Sequence, residues 1–241
     1  MVSFAGPPGA VAVSHLAVYD WEAADNVCGG TPHLHLTCTE GYVVTGGRGA
    51  VQTLTASGFE QAPLAPGDLV WFTPGTIHRL VNEGDLRIVV MMQNSGLPEA
   101  GDAVLTLPPE YLTDRDTYQK AVALPPAAQE AACAQAARAR RDLAISGFTA
   151  LRESFLAGDR EPLAAFHRAA VELVRPLAGQ WRERWQAGAA AASAATGEQL
   201  DRLRAGDASH LAEAAVYARH TEPQRRFGMC GRLDVYDLEG N

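Results

Sequence analysis

The sequence of 241 residues is almost without lysine: Lys120 is the only lysine among 20 basic residues. Arginine therefore carries the positive charge, and 28 acidic residues give a formal net charge of -8. Residues 1–119 contain 4 basic and 13 acidic residues, whereas residues 120–220 contain 13 basic and 11 acidic ones. Neither part has the excess of basic residues that is typical of a nucleic-acid-binding surface. The charge pattern predicts that no nucleic acid is a partner.

Long apolar runs are also missing. No stretch approaches the roughly 20 residues that span a bilayer, so we expect no membrane segment. The first residues lack a basic region and are interrupted by Pro7 and Pro8, which argues against a signal peptide. The 4 cysteines form no Cys-x-x-Cys pair and indicate no disulfide framework. These absences together predict a cytoplasmic protein with reduced thiols.

Short β-type segments, rich in valine, threonine and aromatic residues, occupy the first part of the chain. They are separated by turn-forming residues, among them the clusters at 46–49 and 82–85. Several short strands at this spacing are typical of a sandwich or small barrel. We therefore predict a β domain over residues 1–110.

Alanine, leucine, arginine and glutamate dominate the second part of the chain, as in helices. We predict a helical domain or lid over residues 111–221, with a flexible or frayed joint at 187–197 (AGAAAASAATG). The last segment, 222–241, is predicted to be a tail. Its alternating sequence GRLDVYDLEGN is compatible with a strand that returns to the β domain.

Two histidines one residue apart stand in the short apolar stretch TPHLHLTCTEGYVV, and a glutamate follows them. On a strand, His33 and His35 project from the same face. Glu40 lies an odd number of residues after His35, so a bend at residues 37–39 is needed to bring it to that face. Burial of polar groups without partners would cost about 2–7 kcal/mol each. The stretch therefore predicts either access of water or a bound ligand.

A further histidine, His78, follows the turn residues Pro74 and Gly75. Three imidazoles and one carboxylate are a ligand set typical of first-row transition metals, and they leave positions open on an octahedral ion. We predict one divalent transition metal per chain. The ligand set does not choose among Fe²⁺, Mn²⁺, Zn²⁺ and Ni²⁺.

Both histidine segments resemble the conserved motifs of the cupin family, and the resemblance covers about residues 10–105. The first motif is matched by the spacing of His33, His35, Glu40 and Gly47, and the second by that of Gly67, Gly75, His78 and Asn82. Two turn positions depart from the family pattern. Val27 stands where the first motif has glycine, and Thr73 where the second has proline.

The resemblance implies an N-terminal cupin jelly-roll β-barrel followed by the helical C-terminal region, that is, a mainly β barrel plus α. It implies a mononuclear metal inside the barrel, with His33, His35, Glu40 and His78 as ligands. It also implies a homodimer. The predicted partner of the site is a small-molecule substrate or ligand.

Three functions stay open at this point. The site resembles those of cupin dioxygenases, and the same ligands would serve a sugar or hydroxy-carbonyl isomerase or epimerase, or a non-catalytic ligand-sensing module. Tyr42, two residues beyond Glu40, is predicted to face the metal cavity. There it would act as a catalytic proton donor, bind substrate through its hydroxyl group, or form part of the cavity wall.

Overall fold

The structure is a computed structural model that describes residues 6–236. Within these residues, nine antiparallel strands form one sheet, and five α-helices lie between the seventh and eighth strands. The strands are β1 (Ala12–Val18), β2 (His33–His35), β3 (Glu40–Thr55), β4 (Gly58–Leu64), β5 (Leu69–Phe72), β6 (Ile77–Met92), β7 (Ala103–Leu105), β8 (Arg226–Phe227) and β9 (Gly231–Val235). The helices are α1 (Arg115–Val122), α2 (Glu130–Leu156), α3 (Glu161–Val174), α4 (Ala178–Trp185) and α5 (Ala191–Arg204). This arrangement confirms the predicted fold class.

Two long strands, β3 and β6, pair along almost their whole length and form the spine of the barrel. The sheet order is β4-β3-β6-β1-β9-β8, while β5 pairs with β3, and β2 pairs with β6 and β7. Apolar side chains of these strands face inward and form one continuous core with side chains of α2 and α3. The barrel interior is therefore closed on one side by sheet and on another by helix.

The turns predicted at residues 46–49 and 82–85 are wrong. The structure has irregularities there within β3 and β6, which continue on either side. The pairing register shifts between Val44 and Gly49, where Gly47 has φ 70° and the facing Asp85 has φ 49°. Because the two clusters lie opposite each other, the strands bend together as paired β-bulges instead of separating.

Helix α2 packs directly against the barrel wall at Gly147. A Cβ atom there would lie 2.1 Å from the carbonyl oxygen of Thr106, so the approach requires glycine. One turn away, the Thr106 hydroxyl donates a hydrogen bond of 2.9 Å to the carbonyl oxygen of Ala144. The helix and the segment after β7 are thus in backbone contact, and α2 acts as a wall of the domain.

The joint predicted at residues 187–197 is also wrong, because the chain stays helical through this segment. A π-helical turn, Gln186–Ala190, connects α4 to α5. Alanine has the highest helix propensity of all residues, and here it outweighs the two glycines. Among the helices of residues 6–236, none combines the length and the apolarity needed to cross a membrane.

The chain returns to the barrel at its end. Strand β9 pairs with β1 from Ser14↔Val235 to Val18↔Gly231, and β8 pairs with β9 as a hairpin. The last part of the predicted tail, residues 237–241, lies outside the described residues. We name residues 226–235 the C-terminal hairpin.

Candidate metal centre

Strand β2 brings two histidines into the interior of the barrel. All three of its residues are buried. Because successive side chains of a strand point to opposite faces, His33 and His35 lie on one face and Leu34 on the other. The chain bends at residues 36 and 37, and β3 then begins at Glu40, as the bend predicted from the sequence requires. His78 is the second residue of β6 and pairs with His33 across the two strands.

The four side chains form one buried cluster. Each offers one ligand atom, and these atoms lie within 4.8 Å of one another. Glu40 Oε2 lies 2.9 Å from His78 Nε2 and 3.3 Å from His35 Nε2. The ring centroids of His33 and His78 are 4.3 Å apart. The structure therefore brings together every residue of the predicted ligand set.

The other ring nitrogen of each histidine is occupied. His33 Nδ1 donates to the carbonyl oxygen of Thr31 at 2.8 Å, and His78 Nδ1 donates to that of Thr76 at 3.1 Å. His35 Nδ1 lies 3.1 Å from the carboxylate of Asp102. These partners fix the ring orientations and direct each Nε2 atom at the cluster, the arrangement found in metal-binding histidines.

The cluster contains buried polar atoms that a bound cation would satisfy. Within the described part of the chain, Glu40 Oε2 and His78 Nε2 have no hydrogen-bond partner of acceptable geometry, although they lie 2.9 Å apart. Buried polar atoms are normally hydrogen-bonded, and exceptions call for an explanation. A metal ion bound by these atoms would satisfy both of them, and nitrogen and carboxylate donors suit a divalent transition metal.

Electrostatics within the cluster set the charges of its members. Burial raises the pKa of Glu40, but the adjacent His78 and His35 imidazoles outweigh burial and hold that pKa well below its usual value. Burial also holds the pKa of His33 well below normal. For His35, burial lowers the pKa, but the adjacent carboxylates of Asp102 and Glu40 prevail and raise it to about 9. Metal binding at His35 would therefore displace a proton.

Asp102 is a site residue that sequence reasoning missed. Its carboxylate is fully buried and accepts hydrogen bonds from the backbone amides of Thr37 (2.8 Å) and Cys38 (3.2 Å), besides facing His35. It thereby holds both the His35 ring and the bend before Glu40. In the sequence it stands in a Gly-Asp turn signal, 67 residues after His35, and nothing in that context marks it as a site residue.

Tyr42 lines the same cavity as the metal cluster, on the face of β3 that Glu40 occupies. Its side chain is fully buried, and its hydroxyl group has no hydrogen-bond partner among residues 6–236. Burial, with the nearby Glu40 carboxylate adding to it, raises the pKa of Tyr42 well above its usual value. The hydroxyl is therefore neutral and available as a hydrogen-bond donor.

The neighbouring aromatic residues follow strand alternation. Phe72, 8% exposed, stacks on the His78 ring at a centroid distance of 4.7 Å, whereas Trp71 is 66% exposed. The two residues are adjacent on β5 and therefore face opposite sides of the sheet. Phe72 packs against one face of the His78 ring and so contributes to the orientation of that ring.

A cavity of about 310 Å³ opens above the cluster, and its walls are mostly apolar. Strands β1, β3 and β6 supply one side, and the C-terminal hairpin supplies the other through Phe227, Met229 and Leu233. Glu99 and Arg226, both exposed, lie on its lining as well. The hairpin was not predicted to take part in the site, because nearly 200 residues separate it from the first histidine.

Comparison with known families identifies the β-rich part of the chain. Residues 23–92 match the model of the cupin domain, and this segment contains all four residues of the cluster. The match identifies this segment as a cupin domain, in agreement with its barrel fold. A comparison with curated proteins finds no significant match.

Solved structures resemble the chain over a limited region. A conserved Klebsiella pneumoniae protein with a double-stranded β-helix domain is 19% identical, and the alignment covers 34% of this chain and 64% of that one, at a TM-score of 0.26. A predicted oxalate decarboxylase from Thermotoga maritima gives the same identity, coverage and TM-score. The Streptomyces nucleoside dehydratase Pac13 is 16% identical, with 42% and 72% covered and a TM-score of 0.31. The chain thus spans 64% of the length of the first two structures.

Proposed function

We propose that this protein is a metal-dependent cupin enzyme that acts on a small molecule. One divalent transition metal would be held by His33, His35, Glu40 and His78. The observation that carries the proposal is the convergence of three histidine rings and a buried carboxylate at one point, beside a cavity of about 310 Å³. A bound metal would supply a Lewis acid and, if it is iron, a redox-active centre.

Among cupin chemistries we propose that of a dioxygenase. An isomerase or epimerase needs a protein base in the cavity to move a proton. Apart from the cluster, the ionisable side chains on the described cavity lining include Tyr42, Glu99 and Arg226. Tyr42 is held neutral, and the exposed Glu99 accepts a 2.8 Å hydrogen bond from the backbone amide of Gly96. Among the described lining residues the site therefore offers a donor but no poised base, which favours oxidation over isomerisation.

The cavity walls indicate the kind of substrate. Leu16, Val90 and Met92 line the cavity together with the hairpin residues Phe227 and Leu233. Such a lining favours a largely apolar molecule with one polar end that reaches the metal centre. Tyr42 would donate its hydrogen bond to an oxygen of that polar end and so orient it.

The first test is metal analysis of protein purified without added metal or chelator. We expect about one equivalent of iron in the wild type, and its loss in His35→Ala and His78→Ala, since each variant removes one donor. Oxygen consumption with candidate apolar substrates should depend on that iron. Folded wild-type protein that holds no metal and takes up none would contradict the proposal.

Two further outcomes separate the alternatives. Manganese or zinc in place of iron, with turnover of a hydroxy-carbonyl compound and no oxygen uptake, would favour the isomerase or epimerase. Tyr42→Phe should keep the metal but lower turnover about 10–100-fold, because only the substrate's hydrogen bond is lost. Unchanged turnover in that variant would reduce Tyr42 to part of the wall.

We also propose that the chain forms a homodimer and resides in the cytoplasm. Strand β5 presents Leu69 and Trp71 at 54% and 66% exposure, and exposed apolar patches of this kind favour protein contacts. All four cysteines are free, as in a reducing compartment. Light scattering should give the mass of a dimer for the wild type and of a monomer for Trp71→Glu.

A further inference from the structure

A second cavity, of about 410 Å³, lies between the barrel and the helices. Strand β7 contributes Val104 and Leu105 to its lining, while α1, α2 and α3 contribute Tyr118, Arg140 and Leu173. Unlike the cavity of the metal centre, its lining includes two arginines, Arg115 and Arg140. It contains none of the four residues of the metal cluster.

Arg140 is an arginine without a counterion in the described part of the chain. Its Nη1 and Nη2 atoms donate to the carbonyl oxygens of Val122 (3.2 Å) and Gly228 (2.8 Å), but its Nε is buried and unpartnered. Burial lowers the pKa of Arg140. The next residue, Arg141, pairs with Asp142 and so differs in this respect. Arg140 is half-buried, and a charge that is withdrawn from water normally has an anion beside it.

Two further donors line the same cavity. Arg115 makes no ion pair within residues 6–236, and its one side-chain contact is a 3.5 Å hydrogen bond to the carbonyl oxygen of Leu173. The Tyr118 oxygen accepts a hydrogen bond of 3.0 Å from the backbone amide of Leu105. Since a phenol has one hydrogen to donate, the Tyr118 hydroxyl group keeps a free donor.

The charge balance of the lining is positive. Glu99 is its one carboxylate among the described residues; it is exposed and accepts a hydrogen bond from the backbone amide of Gly96. The two arginines therefore outnumber this carboxylate, and the net charge of the described lining is positive. Leu173, Val174 and Leu177 form an apolar wall on the helical side.

We propose that this cavity binds a small organic anion, a carboxylate or a phosphate monoester that carries a short apolar chain. The anionic group would lie between Arg115 and Arg140 and accept the hydrogen bond of Tyr118, and the apolar chain would contact Leu173 and Leu177. Arginine recognises carboxylate and phosphate through the same planar set of N–H donors, so the two groups share one chemistry. This site contains none of the four cluster residues, although Pro98, Glu99 and Met229 line both cavities.

Isothermal titration calorimetry of the full chain tests the proposal, with butyrate, butyl phosphate, butanol and butylamine as probes. We expect one equivalent of butyrate or butyl phosphate to bind, and butanol and butylamine not to bind. Arg115→Gln, at an exposed position, should weaken binding about tenfold or more, because a charge-assisted hydrogen bond is lost. Arg140→Gln should do the same if circular dichroism finds it folded. Preference between the two anions would identify the natural group.

Two control variants test whether the anion binds in this cavity and not elsewhere on the protein. Arg182→Gln removes an exposed arginine of α4 outside this cavity and should leave binding unchanged. His78→Ala should also bind the anion as the wild type does, because the metal cluster takes no part. Absence of binding by both anions, loss of binding in His78→Ala, or full affinity in Arg115→Gln would each overturn the proposal.

Discussion

His35 faces a carboxylate with each of its ring nitrogens, Glu40 through Nε2 and Asp102 through Nδ1. The first contact belongs to the metal cluster, and the second fixes the ring. Asp102 also accepts hydrogen bonds from the Thr37 hydroxyl (2.6 Å) and amide groups, so it is itself held in place. It is a positioning residue, and its effect on the metal passes entirely through His35 and the bend before Glu40.

Asp102→Asn is expected to weaken metal binding about 10–100-fold, the usual effect of removing the carboxylate behind a ligating histidine. The reason is that the asparagine side chain has one acceptor oxygen, whereas the two carboxylate oxygens of Asp102 accept hydrogen bonds from His35 and from two backbone amides. Competition with a chromogenic chelator measures the change on metal-free protein. Asp68→Asn is the matched control, since Asp68 also accepts a backbone hydrogen bond, from the amide of Ala65, but at a distant turn. Equal affinity in wild type and Asp102→Asn would refute the positioning role.

Asp25 and Arg79 form a paired charge at the edge of the barrel. Arg79 is 2% exposed and donates hydrogen bonds of 2.5 and 3.1 Å to the Asp25 carboxylate, which is 31% exposed. Burial acts to raise the pKa of Asp25, but the Arg79 guanidinium prevails and lowers it below 3.8. The pair therefore adds stability above the unfolded-state pKa, and that stability is lost as the pH falls through the lower, folded-state pKa.

Asp25→Asn should lower the free energy of unfolding at pH 7 by about 1–3 kcal/mol, between the values for exposed and buried pairs. Urea unfolding measures the loss, and the difference from wild type should shrink as the pH is lowered below about 4. Asp85→Asn removes an exposed pair with Arg87 and should change stability by less than about 0.5 kcal/mol. A difference that does not depend on pH would contradict the assignment to charge.

At the scale of elements, the C-terminal hairpin and the segment before β2 meet at Gly30. A Cβ atom on Gly30 would lie 2.8 Å from the backbone Cα of Cys230, closer than real contacts allow. The carbonyl oxygen of Met229 accepts the amide hydrogen of Thr31 at 3.0 Å. The hairpin is thus hydrogen-bonded to the backbone three residues or fewer from His33 and closes the substrate cavity there.

Gly30→Ala is expected to displace the hairpin and lower the free energy of unfolding by about 1–3 kcal/mol, the usual cost of overpacking. Affinity for substrate should fall with it, because Met229 and Leu233 would leave their positions on the wall. Gly58→Ala is the matched control, since an added Cβ on β4 has no neighbour within 4 Å. Thermal denaturation compares the two. A Gly30→Ala protein as stable as the control would show that the hairpin adapts freely.

The strands also show which structural features can be predicted from sequence patterns alone. Alternation in His33-Leu34-His35 predicted their facing, and the need for Glu40 to join them predicted the bend, because both depend on the local backbone. The glycine and asparagine clusters at 46–49 and 82–85 carry the same composition in a turn as in a bulge. Which of the two forms was decided by the pairing of β3 with β6, a contact between distant segments.

At the scale of the molecule, helix α2 is joined to the barrel by Arg141, which is 1% exposed. Its guanidinium donates to the carbonyl oxygens of Trp21 (2.8 Å), Glu22 (2.9 Å) and Gly29 (3.4 Å). These carbonyls belong to the loop that leads from β1 to the metal-centre strand β2. Helix and barrel therefore share one set of buried hydrogen bonds.

Arg141→Met should destabilise the whole protein by about 2–4 kcal/mol, because buried carbonyl oxygens lose their donors. We expect amide exchange to rise together in α2 and in the loop of residues 19–30, as in one cooperative unit. Mass spectrometry of hydrogen exchange measures both. Arg168→Met, at an exposed position of α3 paired with Glu161, serves as control. Faster exchange in α2 alone would mean that barrel and helices unfold separately.

The sequence by itself predicted the barrel and the four residues of the cluster, because two of its segments resemble the cupin motifs, and it predicted the facing of Tyr42 because side chains alternate along a strand. Only the tertiary structure decided the positions of Asp102, the C-terminal hairpin, and Arg140 with Arg115. Their contacts join residues tens to hundreds of positions apart. Local sequence preferences do not predict such a contact, because burial and hydrogen bonding between distant segments arise only when the chain has folded.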